Sequence, residues 1–173
     1  YPIEIHSLND FDVVSSVGRR NIVRDSNKGI TGWSWGIHSG SYTLEEVEAL
    51  KVRAIKIKCN EKSASWAVLM RALDTNKFKP NTDYVISYDI YSNIGFGIQP
   101  SIRRGDAQQP IINNFETKTV SANMWNHISA TGKSSTFSAN GQVIYFASNL
   151  NPGDECIIAN LKIEESVTAS PYS

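Results

Sequence analysis

The sequence is short of most of what an enzyme or a membrane protein is built from. Two cysteines and three histidines in 173 residues are too few for a disulfide framework, and His6, His38 and His127 lack the spacing of metal ligands. Cys59 and Cys156 are read as buried thiols serving as small hydrophobes, with a single bridge between them as the alternative. Lys plus Arg equals Asp plus Glu at 17 each, so no net field draws the chain toward nucleic acid or an anionic membrane. No apolar run approaches the roughly 18 residues of a membrane span, and no signal-peptide pattern opens the chain. Nor is there an Asn-x-Ser/Thr acceptor, a Gly-rich phosphate loop ahead of a helix, or a pair of carboxylates supported for glycoside hydrolysis. The chain opens on Tyr1 rather than Met, which reads as a piece cut from a longer protein.

What is present is alternation. After Pro80-Asn-Thr-Asp, where a fixed φ and three side-chain oxygens favour a turn, Tyr84, Ile86, Tyr88 and Ile90 fall on one side of a period-two ribbon. Val85, Ser87, Asp89 and Tyr91 fall on the other, mixing an acid with an aromatic ring, as a wetted sheet face does. A less regular ribbon runs from Val52 to Cys59, and the short run from Ser65 to Leu73, ambiguous because it is rich in helix formers, reads as a strand from the turn residues at both its ends. In a third, Phe96, Ile98 and Ile102 oppose Gln99, Ser101 and Arg103. Others run from Ile111 to Val120 and from Asn123 to Thr131, with Ile128 and Ala130 inward and Trp125, His127 and Ser129 outward. A last strand over 155–165 is expected to face inward with Ile157, Ala159, Leu161 and Ile163. Asn140-Gly141 is the strongest hairpin signal. Thr43 with Glu46 has capping-box spacing, and Leu44, Val47 and Leu50 share one side of a short helix over 43–50, expected as a lid. Eight to ten strands and one short helix give an all-β chain, a two-sheet antiparallel β-sandwich. Residues 1–19 read as a connector and 20–173 as the sandwich.

Chemistry is thin. A Gly32-x-Ser34-x-Gly36 match lacks the strand before and helix after that a nucleophile elbow needs, so the chain reads as non-catalytic. Aromatic residues carry more weight: Trp33, Trp35, Trp66, Tyr91 and Trp125 stand in glycine-rich loops or on non-core parity. Planar rings beside amides, carboxylates and Arg suit sugars, whose C–H faces stack while their hydroxyls take directional hydrogen bonds. For each ring taken singly, core or edge packing is the competing reading. Arg103-Arg104 reads as an exposed strand end or as a contact for a sugar, acid or phosphate.

Four phrases occur in an order that matches one family: Gly18-Arg-Arg-Asn-Ile-Val-Arg-Asp-Ser, Phe78-Lys-Pro-Asn-Thr-Asp-Tyr-Val-Ile-Ser-Tyr-Asp-Ile, Trp125-Asn-His-Ile-Ser-Ala, and the run from Ile158 to Ser173. Together they resemble the jelly-roll carbohydrate-binding modules inserted in tail and baseplate proteins of phages of Gram-positive bacteria, related to modules attached to cellulases and xylanases. The resemblance implies a jelly roll located at the virion tail tip. Its implied role is adhesion to a bacterial cell-wall saccharide alongside the rest of the tail protein, with no nucleic-acid or membrane partner. A ligand-free spacer domain of the same tail is the alternative. Saccharide-binding candidates are Trp33, Trp35, Trp66, Asp89, Tyr91, Gln99 and Arg103; relatives with a tryptophan at the Trp125 position often use it to seal the edge of the core. No cofactor is required, although many relatives hold a structural calcium, for which Asp25 and Asn160 are conceivable ligands.

Overall fold

A computed structural model describes residues 21, 33–37, 41–61, 67–72, 78–103, 110–136, 143–148 and 150–171. Twelve strands lie among them, more than the eight to ten expected: β1 (Trp33–Ile37), β2 (Ser41–Ala49), β3 (Val52–Glu61), β4 (Ala67–Ala72), β5 (Asp83–Ser92), β6 (Phe96–Ile98), β7 (Ser101–Arg103), β8 (Pro110–Ile112), β9 (Lys118–Val120), β10 (Trp125–Lys133), β11 (Val143–Ser148) and β12 (Glu155–Glu165). One sheet has the order β1-β4-β11-β7-β8 and the other β10-β5-β12-β3-β2, with β6 and β9 as a separate pair. Every pairing is antiparallel. The core between them takes Ile55, Ile57, Tyr84, Ile86, Tyr88, Ile90, Ile128 and Ile163 from the second sheet and Ile102, Ile111 and Ile112 from the first. The fold is an all-β jelly-roll sandwich.

β5 behaves as its alternation predicts. Tyr84, Ile86, Tyr88 and Ile90 are each no more than 1% exposed, and burying one such side chain contributes roughly 1.5–3 kcal/mol. The turn before β5 is held by Asn81 at φ 49°, by the Thr82 hydroxyl donating to the Pro80 carbonyl, and by the Lys79 amide donating to the Tyr84 hydroxyl at 2.8 Å. The outer face is not wet throughout, because Val85 and Ser87 are buried.

β12 departs from a single parity. Cys156 and Ile158 face the core opposite Ile57 and Ile55, and then Leu161 and Ile163 do. A bulge between Ala159 and Lys162 sets two residues, Asn160 and Leu161, against the single Tyr88, with Asn160 at φ 55°. A bulge adds one residue and so inverts the inside-outside sequence. Ile157 therefore faces outward beside Tyr91, and Ala159, although buried, lies opposite Asp89 on the outer face. The expected inward set holds only for Leu161 and Ile163.

The expected helix over 43–50 is a strand. β2 pairs along β3 from Ser41 to Ala49, setting Glu45 against Lys56 and Thr43 against Lys58. Leu44 and Tyr42 pack on the core. The two-residue connection is Leu50-Lys51 with φ of 51° and 61°, the positive-φ pair of a type I′ turn made without the usual Asn or Gly. Extended pairing with β3 outweighs the local capping spacing, since an isolated helix of two turns is marginal. Asn140-Gly141 lies outside the described residues; β11, which follows, pairs with β4 and β7.

Gly132 on β10 is fixed by close approach: a Cβ there would meet Ile112 Cγ2 at 2.8 Å and Phe115 Cδ1 at 2.9 Å. Asn21, far back in the chain, donates Nδ2 to the Leu161 carbonyl at 3.0 Å and accepts from the Ile163 amide at 3.1 Å, pairing with β12 backbone as a strand would.

Beyond β12, residues 166–171 fold back on its outer face. There Lys162 and Glu164, each with a side chain 1% exposed, form an ion pair at 3.0 Å. The Ser170 amide and hydroxyl donate to Glu164 at 2.6 and 2.7 Å, while Lys162 Nζ donates to Ser170 Oγ at 2.6 Å and the Pro171 carbonyl at 2.9 Å. Burial alone would push the Glu164 carboxyl up, but the hydrogen bonds from Ser170 and Lys162 outweigh it and hold it below the usual carboxylate range.

Two outcomes are expected. Because Glu164 titrates lower folded than unfolded (about 4.3), its stabilising contribution is complete above that value and is lost as pH falls through the folded one. Urea midpoints should drop below about pH 4, and Glu164→Gln should cost about 3 kcal/mol at pH 7, the scale of stranding a buried charge. Cys59 and Cys156 are both buried and unbridged, and burial pushes the Cys156 thiol up to about 12. A thiol reagent should therefore label neither until the chain is unfolded; fast labelling of native protein would contradict this packing.

Candidate saccharide face

The antiparallel register places residues from different strands in rows across the outer face of the second sheet. Trp125, Tyr91, Ile157, Lys56 and Glu45 form one row spanning all five strands. At ~4.8 Å between strands the row is about 19 Å long. The next row holds His127, Asp89 and Ala159. Tyr91 and Trp125 are both half-buried, with ring centroids 5.8 Å apart and planes tilted by 57°. Such a tilted pair is worth roughly 0.5–1.5 kcal/mol beyond its buried area, and it still leaves part of each ring in water.

Beside the rings, His127 Nδ1 lies 2.8 Å from Asp89 Oδ1, and Asn160 Nδ2 donates to Asp89 Oδ2 at 2.8 Å. The bulge brings Asn160 into reach: without the extra residue in β12 its amide would not share this face with Asp89. At the far end of the long row, Thr43, Glu45, Lys56, Lys58, Asn60 and Glu155 line a shallow depression of about 290 Å³. Glu155 lies 3.3 Å from Lys56 and 4.0 Å from Lys58. These pairs are half-exposed and worth at most about 1 kcal/mol each, so they shape the depression more than they stabilise it.

The seven residues singled out from the sequence do not form one cluster. Asp89 and Tyr91 share the face just described. Trp33 and Trp35 lie in β1, an edge strand of the other sheet, at register positions opposite Arg71 and Leu69. The row of Trp33 continues through Arg71 and Ile144 to Ile102 and Ile112. Arg103 ends β7 in that sheet, half-buried, its Nε donating to Ser101 Oγ at 3.4 Å. Gln99 sits between β6 and β7 and donates Nε2 to the Phe115 carbonyl at 3.0 Å, bracing the loop after β8. Trp66 lies outside the described residues. Trp125 and His127 belong to the face by parity, whereas Asn160 and Lys56 join it only through register and bulge.

Chemically the face can stack and hydrogen-bond. A His–Asp pair supplies two of the three members of a hydrolytic triad, but among the described residues His127 makes no hydrogen bond to a hydroxyl or thiol. No group of three or more His, Cys, Asp or Glu side chains able to hold a metal comes together among them either. Of the two conceivable calcium ligands, Asn160 turns its amide nitrogen to Asp89 and Asp25 lies outside the described residues.

No protein-family model and no curated protein matches the sequence. Solved structures do. The chain is similar to the CBM22-1 and GH10 modules of endo-1,4-β-D-xylanase 10B of Clostridium thermocellum, solved with xylohexaose, at a TM-score of 0.61 and 17% identity, over 86% of this chain and 29% of that one. It is similar to the family 11 carbohydrate-binding module of a cellulosomal cellulase of Clostridium thermocellum at a TM-score of 0.60 and 12% identity, over 88% of this chain and 98% of the module. A third match is the enzymatically active domain of tailspike protein 4 of bacteriophage CBA120, at a TM-score of 0.58 and 14% identity, over 83% of this chain and 21% of the tailspike. At these identities the likeness shows a shared fold, that of the jelly-roll carbohydrate-binding modules.

The bulge gives a direct check on the face. Asn160→Gly keeps the positive φ and removes the bond to Asp89, whereas Asn160→Val adds a β-branched side chain in a conformation that costs an L-residue roughly 1–2 kcal/mol. Thermal unfolding should show the Val variant clearly less stable than the Gly variant; equal midpoints would mean the bulge is not held as described.

Proposed function

We propose that this chain is a non-catalytic saccharide-binding domain of a phage tail-tip or baseplate protein, holding a Gram-positive host through a cell-wall saccharide. The observation that carries the reading is the half-exposed Tyr91–Trp125 pair beside a hydrogen-bonded His127–Asp89–Asn160 set on one sheet face. Rings take the C–H face of a pyranose and the polar set takes its rim hydroxyls. Support from fold-sharing proteins comes from structures solved with xylohexaose, a β-1,3-1,4-mixed-linked tetrasaccharide and β-1,4-galactotriose. The phage setting draws support from the tailspike of similar fold and from the tail-protein resemblance in the sequence.

Trp33, Trp35, Trp66, Gln99 and Arg103 remain the other sequence candidates, with Trp33, Trp35 and Arg103 on strands of the other sheet. The labelled chain should decorate Gram-positive cells and be competed off by purified wall polysaccharide. Tyr91→Ala should weaken binding tenfold or more, about 1.4 kcal/mol. Loss on Trp35→Ala with Tyr91→Ala unaffected would move the site to the β1 surface. A chain that decorates no cells would leave the ligand-free spacer as the reading, and release of sugar by the isolated chain would make it an enzyme.

A further inference from the structure

The carboxylate on the proposed face is already engaged. Both oxygens of Asp89 are held at 2.8 Å, one by His127 from β10 and the other by Asn160 from β12. Its side chain is 20% exposed and that of His127 is 65% exposed. Water, or a ligand, therefore meets the imidazole before it meets the acid. An ionised carboxylate has no proton to give, so the shared proton sits on Nδ1. In the neutral ring that leaves a lone pair on Nε2, and which ring nitrogen carries the proton is set by the bond the other makes.

Placement matters as much as protonation. His127 and Asp89 stand two residues along β10 and β5 from Trp125 and Tyr91, in adjacent rows of one antiparallel pair. Two residues of strand advance by about 6.8 Å, roughly the reach from the middle of a stacked pyranose to a group beyond its rim. We infer that His127, rather than Asp89, is the group through which this face reads a saccharide: Nε2 accepts a hydrogen bond from a sugar hydroxyl. Asp89 and Asn160 are positioning residues that fix the ring and its tautomer. The inference rests on the saccharide reading above and adds a specificity to it. An acceptor nitrogen selects a free hydroxyl and disfavours the same position when it is O-acylated or O-methylated, because the donor is then gone.

The test has a spectroscopic arm and a binding arm. In the 15N-labelled 173-residue chain, long-range proton–nitrogen spectra of the neutral His127 ring should show Nε2 unprotonated. Asp89→Asn, whose amide can donate, should shift the proton toward Nε2. A wild-type ring protonated on Nε2 overturns the inference. For binding, the probes are purified Gram-positive wall polysaccharide and the same material after O-methylation. His127→Ala should weaken binding to the unmodified polymer tenfold or more, and His127→Gln, which restores an acceptor oxygen, should recover part of it. Asp89→Asn should weaken binding while leaving the circular dichroism unchanged. O-methylation should abolish the difference between wild type and His127→Ala. If Tyr91→Ala loses binding and His127→Ala does not, this inference fails and the saccharide face survives. If neither variant changes binding, or the wild-type chain binds no polysaccharide, the face fails and the inference goes with it.

Discussion

The structure depends on one register: β5 between β10 and β12, hiding Tyr84, Ile86, Tyr88 and Ile90 and presenting Asp89 and Tyr91. Side chains in a strand alternate with a period of two, so a one-residue slip would exchange those two sets completely. The buried set therefore fixes the exposed one. Moving four large inward side chains to water would cost about 6–12 kcal/mol, comparable to the whole stability of a typical domain. Everything on the outer face inherits its position from that constraint.

β12 shows how the constraint is met when a neighbouring strand does not alternate cleanly. Its first half must put Cys156 and Ile158 beside Ile57 and Ile55, and its second half must put Leu161 and Ile163 inside. No unbroken ribbon does both. Asn160, in the left-handed region that Asn tolerates better than most residues, absorbs the mismatch. The same bend that preserves the core also delivers an amide to Asp89, so packing and the polar set on the surface share one cause.

How much of this could be read from the chain follows from which signals are local. The β5 face was legible because Tyr84 to Tyr91 alternate without interruption and a turn with its own side-chain oxygens precedes them. Trp125, His127, Ile128 and Ala130 were legible for the same reason. β2 was not: Thr43 with Glu46, and Leu44 with Val47, satisfy a helical spacing, while the evidence for a strand lies in β3, beyond a Leu50-Lys51 turn that carries no turn-forming residue. In β12, the run Cys-Ile-Ile-Ala hides the parity change because either face can accept it. The candidate site was half legible. Asp89 and Tyr91 followed from alternation, but their company was set by register across strands, which placed Arg103 and Trp33 in the other sheet.

The fold-back of residues 166–171 over Lys162 and Glu164 has a geometric consequence for that face. On β5 and β12 the rows of Ser87 with Lys162 and of Val85 with Glu164 are shut off from solvent. The row of Trp125, Tyr91, Ile157, Lys56 and Glu45 beside them runs crosswise, from β10 to β2. Among the described residues, the rows that keep side chains in water therefore cross the strands instead of following β5 and β12 lengthwise.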